Sequence, residues 1–569
     1  MGPDHRMAPD RGAVFEVPAA AVLLLWPALW NGYPIVFADT GTYLSQAIHL
    51  YAGWDRPIFY SLFMLPLHAT VTVWPVVVAQ ALLTAGVLWL VCRVLAPGLS
   101  GFAFVGGVAA LSGCTWLPWL VCELMPDLFT PLLVLLVGLL AGMPTLLSRR
   151  EQVVLVGLAA FMIASQQSSV PLACVLLAAL LVLPRGDGAR PGMAGARLIG
   201  ITARGVQSRI RRPNLALSIM AGPDPIGIRI SDGRRSIRWP HRALTVMAGL
   251  VRAIGERTVG ARMASTRPAM TEKENAFQSP SLILMPMGSG LAMTEKDDGS
   301  SPAGCFRNAN GRAPRRGWLL IVLPPALAVF GLCVLNLAAH GRFAISPFGN
   351  IFLLARVIYD GPGMTVLRRD CPTAHWRLCP FIDAFPPTSD DFLWAPDSPL
   401  IRAGGPKSVS GDAGSIIVAA LIAQPAAEAR AALTNTLEQL IRFASGDGLT
   451  PWPIQVSPWI ERDFPARERA AYAAARQQAE GLTVPRVLAH IHAIAAVSGV
   501  IACVILLPIA LKRRAACAGF LLAVLLALPV GAAITGALSS PHDRYQARNM
   551  WLPPFIAVVS LASLRRRHG

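Results

Sequence analysis

Runs of apolar residues about as long as a bilayer is thick constrain this chain more than any other feature. A helix crossing the hydrocarbon core needs about 20 mostly apolar residues. Such blocks recur at 16–36, 72–95, 101–121, 128–147, 152–166, 170–184, 317–339, 490–511, 516–538 and 549–564. The sequence therefore predicts an all-α polytopic membrane protein with about ten transmembrane helices and a mixed, mainly helical outer-face loop domain. The blocks 152–166 and 170–184 are short, and a re-entrant pair is a second reading of them. Pro57 to Leu67 is too short to cross and is expected at the interface. Composition points the same way: 54% of residues are hydrophobic and only 14% charged, where soluble domains carry about 25% charge. A soluble enzyme and a disordered chain are both excluded.

Positively charged residues flanking the blocks set the expected orientation. Arg93, Arg149 and Arg150, Arg185, Arg315 and Arg316, Lys512 to Arg514 and Arg565 to Arg567 all sit at block ends. With ten spans and both termini in the cytoplasm, each cluster falls on the cytoplasmic side of an inner or plasma membrane. Arg6 and Arg11 before the first block, and Val36-Phe37-Ala38 after it, resemble a signal peptide; an uncleaved anchor is the preferred reading.

This divides the chain into an N-terminal membrane module (1–184, first outer loop 37–58), an insertion (185–316), a span (317–339), an outer-face region (340–489) and a C-terminal membrane module (490–569). The insertion has no sustained helical or strand period and is expected to be disordered and cytoplasmic. A short direct repeat, Ala269 to Lys273 and again Ala292 to Lys296, lies inside it. It holds 22 Lys and Arg against 9 Asp and Glu, so +13 of the chain's +18 belongs to it. Aromatic residues for base stacking are nearly absent there, so no nucleic-acid partner is expected; the preferred reading is a solvated insertion without a function of its own, with contact to anionic lipid heads as the alternative.

In the outer region, Cys371 and Cys379 are disulfide candidates, because that compartment permits the bond. A metal site with His375 is a lesser alternative, since zinc ligands usually pair more tightly. No metal ligands are assigned, and a divalent cation is left open. No nucleophile elbow, phosphate loop or zincin motif occurs. Gln80 and Asn336, isolated inside spans, read as interhelical hydrogen-bonding groups.

The expected topology gathers four short outer loops on one face. They carry Asp39 to Tyr43 with Asp55 and Arg56; Glu123 with Asp127; Gln166 to Ser169; and His542 to Arg548. Ionisable groups at helix mouths are functional candidates by default. Each also has a plain structural reading. Asp39 would cap the helix starting near Thr40, Asp55 and Arg56 would pair locally, and Glu123 and Asp127 would punctuate a hairpin before Pro126. Arg544 would pair with Asp543.

The acid after the first span, the stretch Asp55-Arg56-Pro57-Ile58-Phe59-Tyr60 and the late Arg544-Tyr545 before a Pro-containing last helix resemble the C-type polytopic glycosyltransferase superfamily. The resemblance covers about 15–185 and 490–564. It departs from the family pattern in the first loop, where many members carry paired acids and here Asp39 precedes Thr40-Gly41-Thr42. The resemblance implies transfer of a sugar from a polyprenyl-phosphate donor on the outer face. Asp39 would then be the base, with Glu123 or Asp127 orienting the acceptor or holding a cation. Arg544, with His542 or Arg56, would neutralise the lipid phosphate, and Tyr43 and Tyr545 would line the substrate site. The alternative is a non-enzymatic envelope assembly component or carrier.

Overall fold

The computed structural model describes residues 13–182 and 315–565. The basic insertion, with its repeat, lies outside the described residues apart from Arg315 and Arg316 at its end.

Apolar helices without charged neighbours find their energy minimum against one another or against lipid, and every element of more than a single residue among the described residues is a helix. The membrane module comprises α1 (Ala13–Leu23), α2 (Trp26–Asn31), α3 (Ala38–His49), α4 (Phe59–His68), α5 (Trp74–Leu95), α6 (Gly101–Cys114), α7 (Leu117–Cys122), α8 (Phe129–Gly142), α9 (Arg149–Ser165) and α10 (Ser169–Val182). After the insertion come α11 (Arg315–His340), α12 (Gly349–Tyr359), α13 (Pro362–Ala374), α14 (Ser389–Trp394), α15 (Pro399–Arg402), α16 (Gly405–Ala423) and α17 (Pro425–Ile441). The chain closes with α18 (Pro453–Asp463), α19 (Ala466–Ala473), α20 (Arg476–Ala479), α21 (Arg486–Lys512), α22 (Ala518–Leu538), α23 (Asp543–Ala547) and α24 (Leu552–Arg565).

Among the described residues four helices are long and apolar enough to cross a membrane: α5, the Leu319–His340 part of α11, α21 and α22. A fifth would be α16 and α17 taken together, although they bend by 103°. The other predicted blocks are shorter helices. Two of these breaks are followed at once by a proline in the first helical turn. Block 16–36 divides before Trp26, with Pro27 in the first turn of α2. Block 101–121 divides at Thr115 and Trp116, ahead of Pro118 in the first turn of α7. There the Thr115 hydroxyl donates to the Leu111 carbonyl at 2.6 Å and accepts from the Leu117 amide at 3.3 Å.

Helix α8 is apolar on every side and all but its last residue are buried, as a central helix requires. It packs against α5, α9, α10, α11 and α22. The region 340–489 divides between two cores. Residues 348–420 have their own core around Ile351, Leu354, Val366 and Ile416, and Cys371 and Cys379 are joined there in a disulfide with Cα atoms 5.4 Å apart. Residues 449–482 belong instead to the core of the membrane module. Their attachment is polar and buried. Tyr33 donates to Glu468 at 2.8 Å, and Gln477 both accepts from the Val36 amide at 3.0 Å and donates to its carbonyl at 2.7 Å. Gly41 seals the seam, since a Cβ there would collide with the Gln455 carbonyl. Gln80 does join helices, through the Tyr60 hydroxyl and the Val121 and Glu123 carbonyls. Asn336 does not; its amide holds the Ala344 and Ile345 carbonyls of the loop that follows its own helix.

Candidate functional site

The loops expected on one face meet at one end of the helices. Residue 35 and residue 123 form the only β pairing among the described residues: the Ile35 amide donates to the Cys122 carbonyl, and the Leu124 amide to the Ile35 carbonyl, both at 2.9 Å. Two backbone segments are thereby locked side by side, which brings Asp39 close to Glu123. The Thr40 hydroxyl adds a bond to the Leu124 carbonyl at 3.1 Å.

Asp39 is not the helix cap that its sequence position suggests. Helix α3 begins at Ala38, and the Thr40 hydroxyl accepts from the Phe37 amide at 2.9 Å, closing the first turn. The Asp39 carboxylate is thus free to face Arg56, whose Nη2 lies 2.9 Å from each of its oxygens. This also overturns the local Asp55–Arg56 pair: Arg56 reaches only the Asp55 backbone carbonyl, at 3.5 Å. Burial raises the Asp55 carboxyl above the usual carboxylate range, with Arg56 opposing and Asp39 adding to the rise. The Arg56 guanidinium also sits 5.4 Å from the centre of the Trp394 ring, which clusters with Trp54 and Phe352. Burial works against its charge, but Asp39 and Asp55 outweigh that and hold Arg56 cationic.

Arg544 approaches the same carboxylate from the opposite chain terminus, its Nη1 4.0 Å from Asp39 Oδ2. It does not pair with Asp543, which accepts from the Ala444 amide at 2.9 Å instead. Its backbone amide is held by Asp447 at 3.0 Å, and its guanidinium lies 4.1 Å over the Phe37 ring and 5.0 Å from that of Tyr545. The Nη1 group is buried and has no hydrogen-bond partner. Burial opposes the charge here too, while Tyr545, Asp127 and Asp39 keep it.

Four residues on, Arg548 donates to Asp127 Oδ1 at 2.5 Å, and Gln166 donates to the same oxygen at 3.0 Å. Thr130 in turn donates to Gln166. Burial pushes the Asp127 carboxyl up, but Arg548 and then Arg544 win and leave it below its ordinary value. Glu123, only four residues earlier, is in the opposite situation. No side chain donates to its carboxyl; burial, reinforced by Asp127, pushes it up to about 8 despite Arg544. As in the plain reading of this turn, Pro126 opens a short 3₁₀ turn that leads into α8. The turn therefore presents two acids with opposite protonation preferences.

The remaining predicted residues lie at the margin. Tyr43 is buried with its ring edge-on to Tyr60, 5.0 Å between centroids, and lies within electrostatic reach of Arg56, Asp39 and Asp127. His542 sits 3.7 Å from Asp390 and edge-on to Tyr545. Burial lowers its imidazole below the usual histidine range, Asp390 resists, and Arg544 adds to the lowering. Sequence reasoning assigned no role to Arg548, Gln166 or Asp447. The i, i+4 spacing of Arg544 and Arg548 was the available signal for the first. Among the described residues no group of three or more His, Cys, Asp or Glu could hold a metal ion. Compared with models of known families, with curated proteins and with solved structures, the chain matches none.

Proposed function

We propose that this chain is a multi-pass membrane transferase that moves a sugar from a polyprenyl-phosphate donor to an acceptor hydroxyl at the outer face. The observation that carries the reading is one guanidinium, Arg544, with a buried Nη1 lacking a hydrogen-bond partner, beside a carboxyl, Glu123, that is half-neutral near pH 8. The first suits a departing phosphate, because Arg can bind phosphate bidentately. The second suits a general base, which works best with a pKa near the operating pH.

Glu123 fits that role better than Asp39. Both Asp39 oxygens already face Arg56, so Asp39 is a positioning residue that holds Arg56 and faces Arg544. In the step proposed, Glu123 takes the acceptor's proton as its oxygen bonds to the anomeric carbon. The bond from that carbon to the phosphate oxygen breaks, and its electron pair leaves with the phosphate, against Arg544 and Arg56. No step is routed through a cation.

The same reading includes ten spans, with both termini cytoplasmic. What supports it is the meeting of four loops, expected on one face, within hydrogen-bond and ion-pair reach of one another. The pair Arg93–Glu151 joins two residues expected at the opposite end.

The test is transfer of radiolabelled sugar from polyprenyl-phosphate donors in membranes. Glu123→Gln and Arg544→Ala should each lower the rate by about 100-fold or more, with membrane insertion unchanged. Asp39→Asn should cost less, because it only loosens Arg56. Full activity in Glu123→Gln removes the base assignment. Absence of transfer by the wild type with every donor leaves the assembly-component reading.

A further inference from the structure

The segment that carries Arg544 does not hold itself in place. Helix α23 has only five residues, and its N-cap, His542, makes no side-chain bond to the first turn. A helix that short is not stable on its own. Three consecutive residues are instead fastened to one distant stretch, 439–447. Gln439, fully buried, accepts from the His542 amide and donates to the His542 carbonyl, both at 2.9 Å. Asp543 accepts from the Ala444 amide at 2.9 Å. Asp447 accepts from the Arg544 amide at 3.0 Å. Among the described residues the carboxylate that faces the Arg544 guanidinium is that of Asp39, 4.0 Å away, and not that of Asp447.

Asp447 stands between two glycines in the left-handed region, Gly446 at φ +107° and Gly448 at φ +85°. Other residues adopt that backbone only under strain. Gly448 also has no room for a side chain, since a Cβ would lie 2.3 Å from the Phe37 ring. The Arg544 guanidinium lies over that same ring, at 4.1 Å. Trp452 closes the arrangement. Its indole N–H donates to the Gly448 carbonyl at 2.9 Å, and its ring packs on Phe37 with 5.1 Å between centroids. One turn thus fixes Arg544 at both ends, the backbone through Asp447 and the guanidinium through Phe37.

We infer that the Gly446-Asp447-Gly448 turn is the device that aims Arg544, with Asp447 a positioning residue that acts through the Arg544 amide by hydrogen bonding and not by charge. The inference rests on the transfer reading for what Arg544 does with a phosphate; where Arg544 points does not depend on it. Long side chains such as arginine gain rotamer freedom once released. Without the turn, Arg544 leaves the one geometry in which its Nη1 is buried and unpaired.

The full chain in lipid nanodiscs should be treated with phenylglyoxal, which modifies guanidinium groups, and the label on each arginine read by mass spectrometry. In the wild type Arg369, with its side chain 57% exposed, should be labelled and Arg544, 19% exposed, protected. Asp447→Ala should raise the label on Arg544 about tenfold, the scale expected for losing a hydrogen bond to a charged group. Arg548, four residues on and buried against Asp127, should stay protected in the same sample. Asp447→Asn keeps an oxygen that accepts from the amide and should restore most of the protection. Asp447→Ser, whose oxygen stops short of the amide, takes the place of the alanine variant if that one folds poorly. Unchanged protection of Arg544 in the alanine and serine variants overturns the inference. So does label rising on Arg548 as well, which means general loosening, and so does an asparagine variant that behaves like alanine, which means charge. In the transfer assay Asp447→Ala should lower kcat about tenfold and leave KM for the acceptor within about twofold, and Asp447→Asn should recover the rate. Absence of transfer by the wild type would end the transfer reading, and the label on Arg544 would still decide this one.

Discussion

Two guanidinium–carboxylate pairs are drawn equally close in this molecule, one in the candidate site and one where α5 meets α9. Arg548–Asp127 and Arg93–Glu151 both measure 2.5 Å. Their settings differ. The side chains of the first pair are 3% and 6% exposed; those of the second are 21% and 31% exposed. Coulomb attraction at a fixed distance grows as the surroundings lose water, and so does the desolvation cost of each charge alone. Distance alone therefore says little about what a pair contributes. Burial decides whether breaking it leaves an orphaned charge or one that water accepts.

The largest effect expected follows directly. Arg548→Ala leaves Asp127 buried with Gln166 as its one side-chain hydrogen-bond donor and Arg544 as the nearest remaining cation, and breaking a buried pair from one side typically costs about 3–5 kcal/mol. Thermal unfolding of the purified protein should fall by many degrees. The double variant Arg548→Gln with Asp127→Asn should recover much of the loss, since two neutral amides can bond to each other. If the single variant is as stable as the wild type, the pair is hydrated and its burial counts for nothing.

Glu123 sharpens the contrast inside the site itself. A carboxyl raised in the folded state favours folding while protonated, so its contribution is full below the ordinary carboxyl value of 4.5 and fades as pH rises through about 8. Asp127, lowered in the folded state, works the other way: its contribution is present above the ordinary value of 3.8 and is lost as pH falls through the folded one. If Glu123 is the base, kcat/KM for transfer should climb about tenfold per pH unit below 8 and level off above it. Glu123→Gln should remove the slope along with the rate, and should make the protein more stable than wild type at pH 9. A flat profile from pH 6 to 9 in the wild type would discard the assignment.

How much of this could be read in the chain depends on the range of the interactions involved. That the four loops come together was legible, because they lie at alternate ends of successive apolar blocks. The helical character was legible because those blocks are too long and too evenly apolar for strands. Pairing was not. Asp39 looks like a cap until Thr40, one residue on, closes the turn and frees it for Arg56, 17 residues away. Arg548 finds Asp127 across 421 residues, and no periodicity encodes such a contact. The breaks at Trp26 and Thr115 lie just ahead of Pro27 and Pro118, but Pro508 and Pro529 sit inside unbroken helices, so neither proline nor hydropathy averaged over a block marks them. Glu123 and Asp127 show the limit most plainly, since one turn of four residues gives two acids opposite environments that composition cannot distinguish.

The smallest expected effect tests the other half of the opening contrast. Arg93→Ala removes the partner of Glu151 where water can replace it, so the cost should stay below about 1 kcal/mol. Glu151 also keeps a second role. Its Oε2 accepts from the Ser148 amide at 2.7 Å while its own amide donates to the Ser148 hydroxyl at 3.3 Å, a reciprocal cap on the start of α9. Glu151→Ala should therefore destabilise more than Arg93→Ala, by about the 1 kcal/mol a helix cap contributes. Raising salt should weaken the wild type slightly but leave this difference between the two variants intact, because the cap is local hydrogen bonding and the ion pair is screened. Equal losses in the two variants, read by unfolding in the same detergent, would mean the pair rather than the cap holds that end, and the exposed contact would then rank with the buried one.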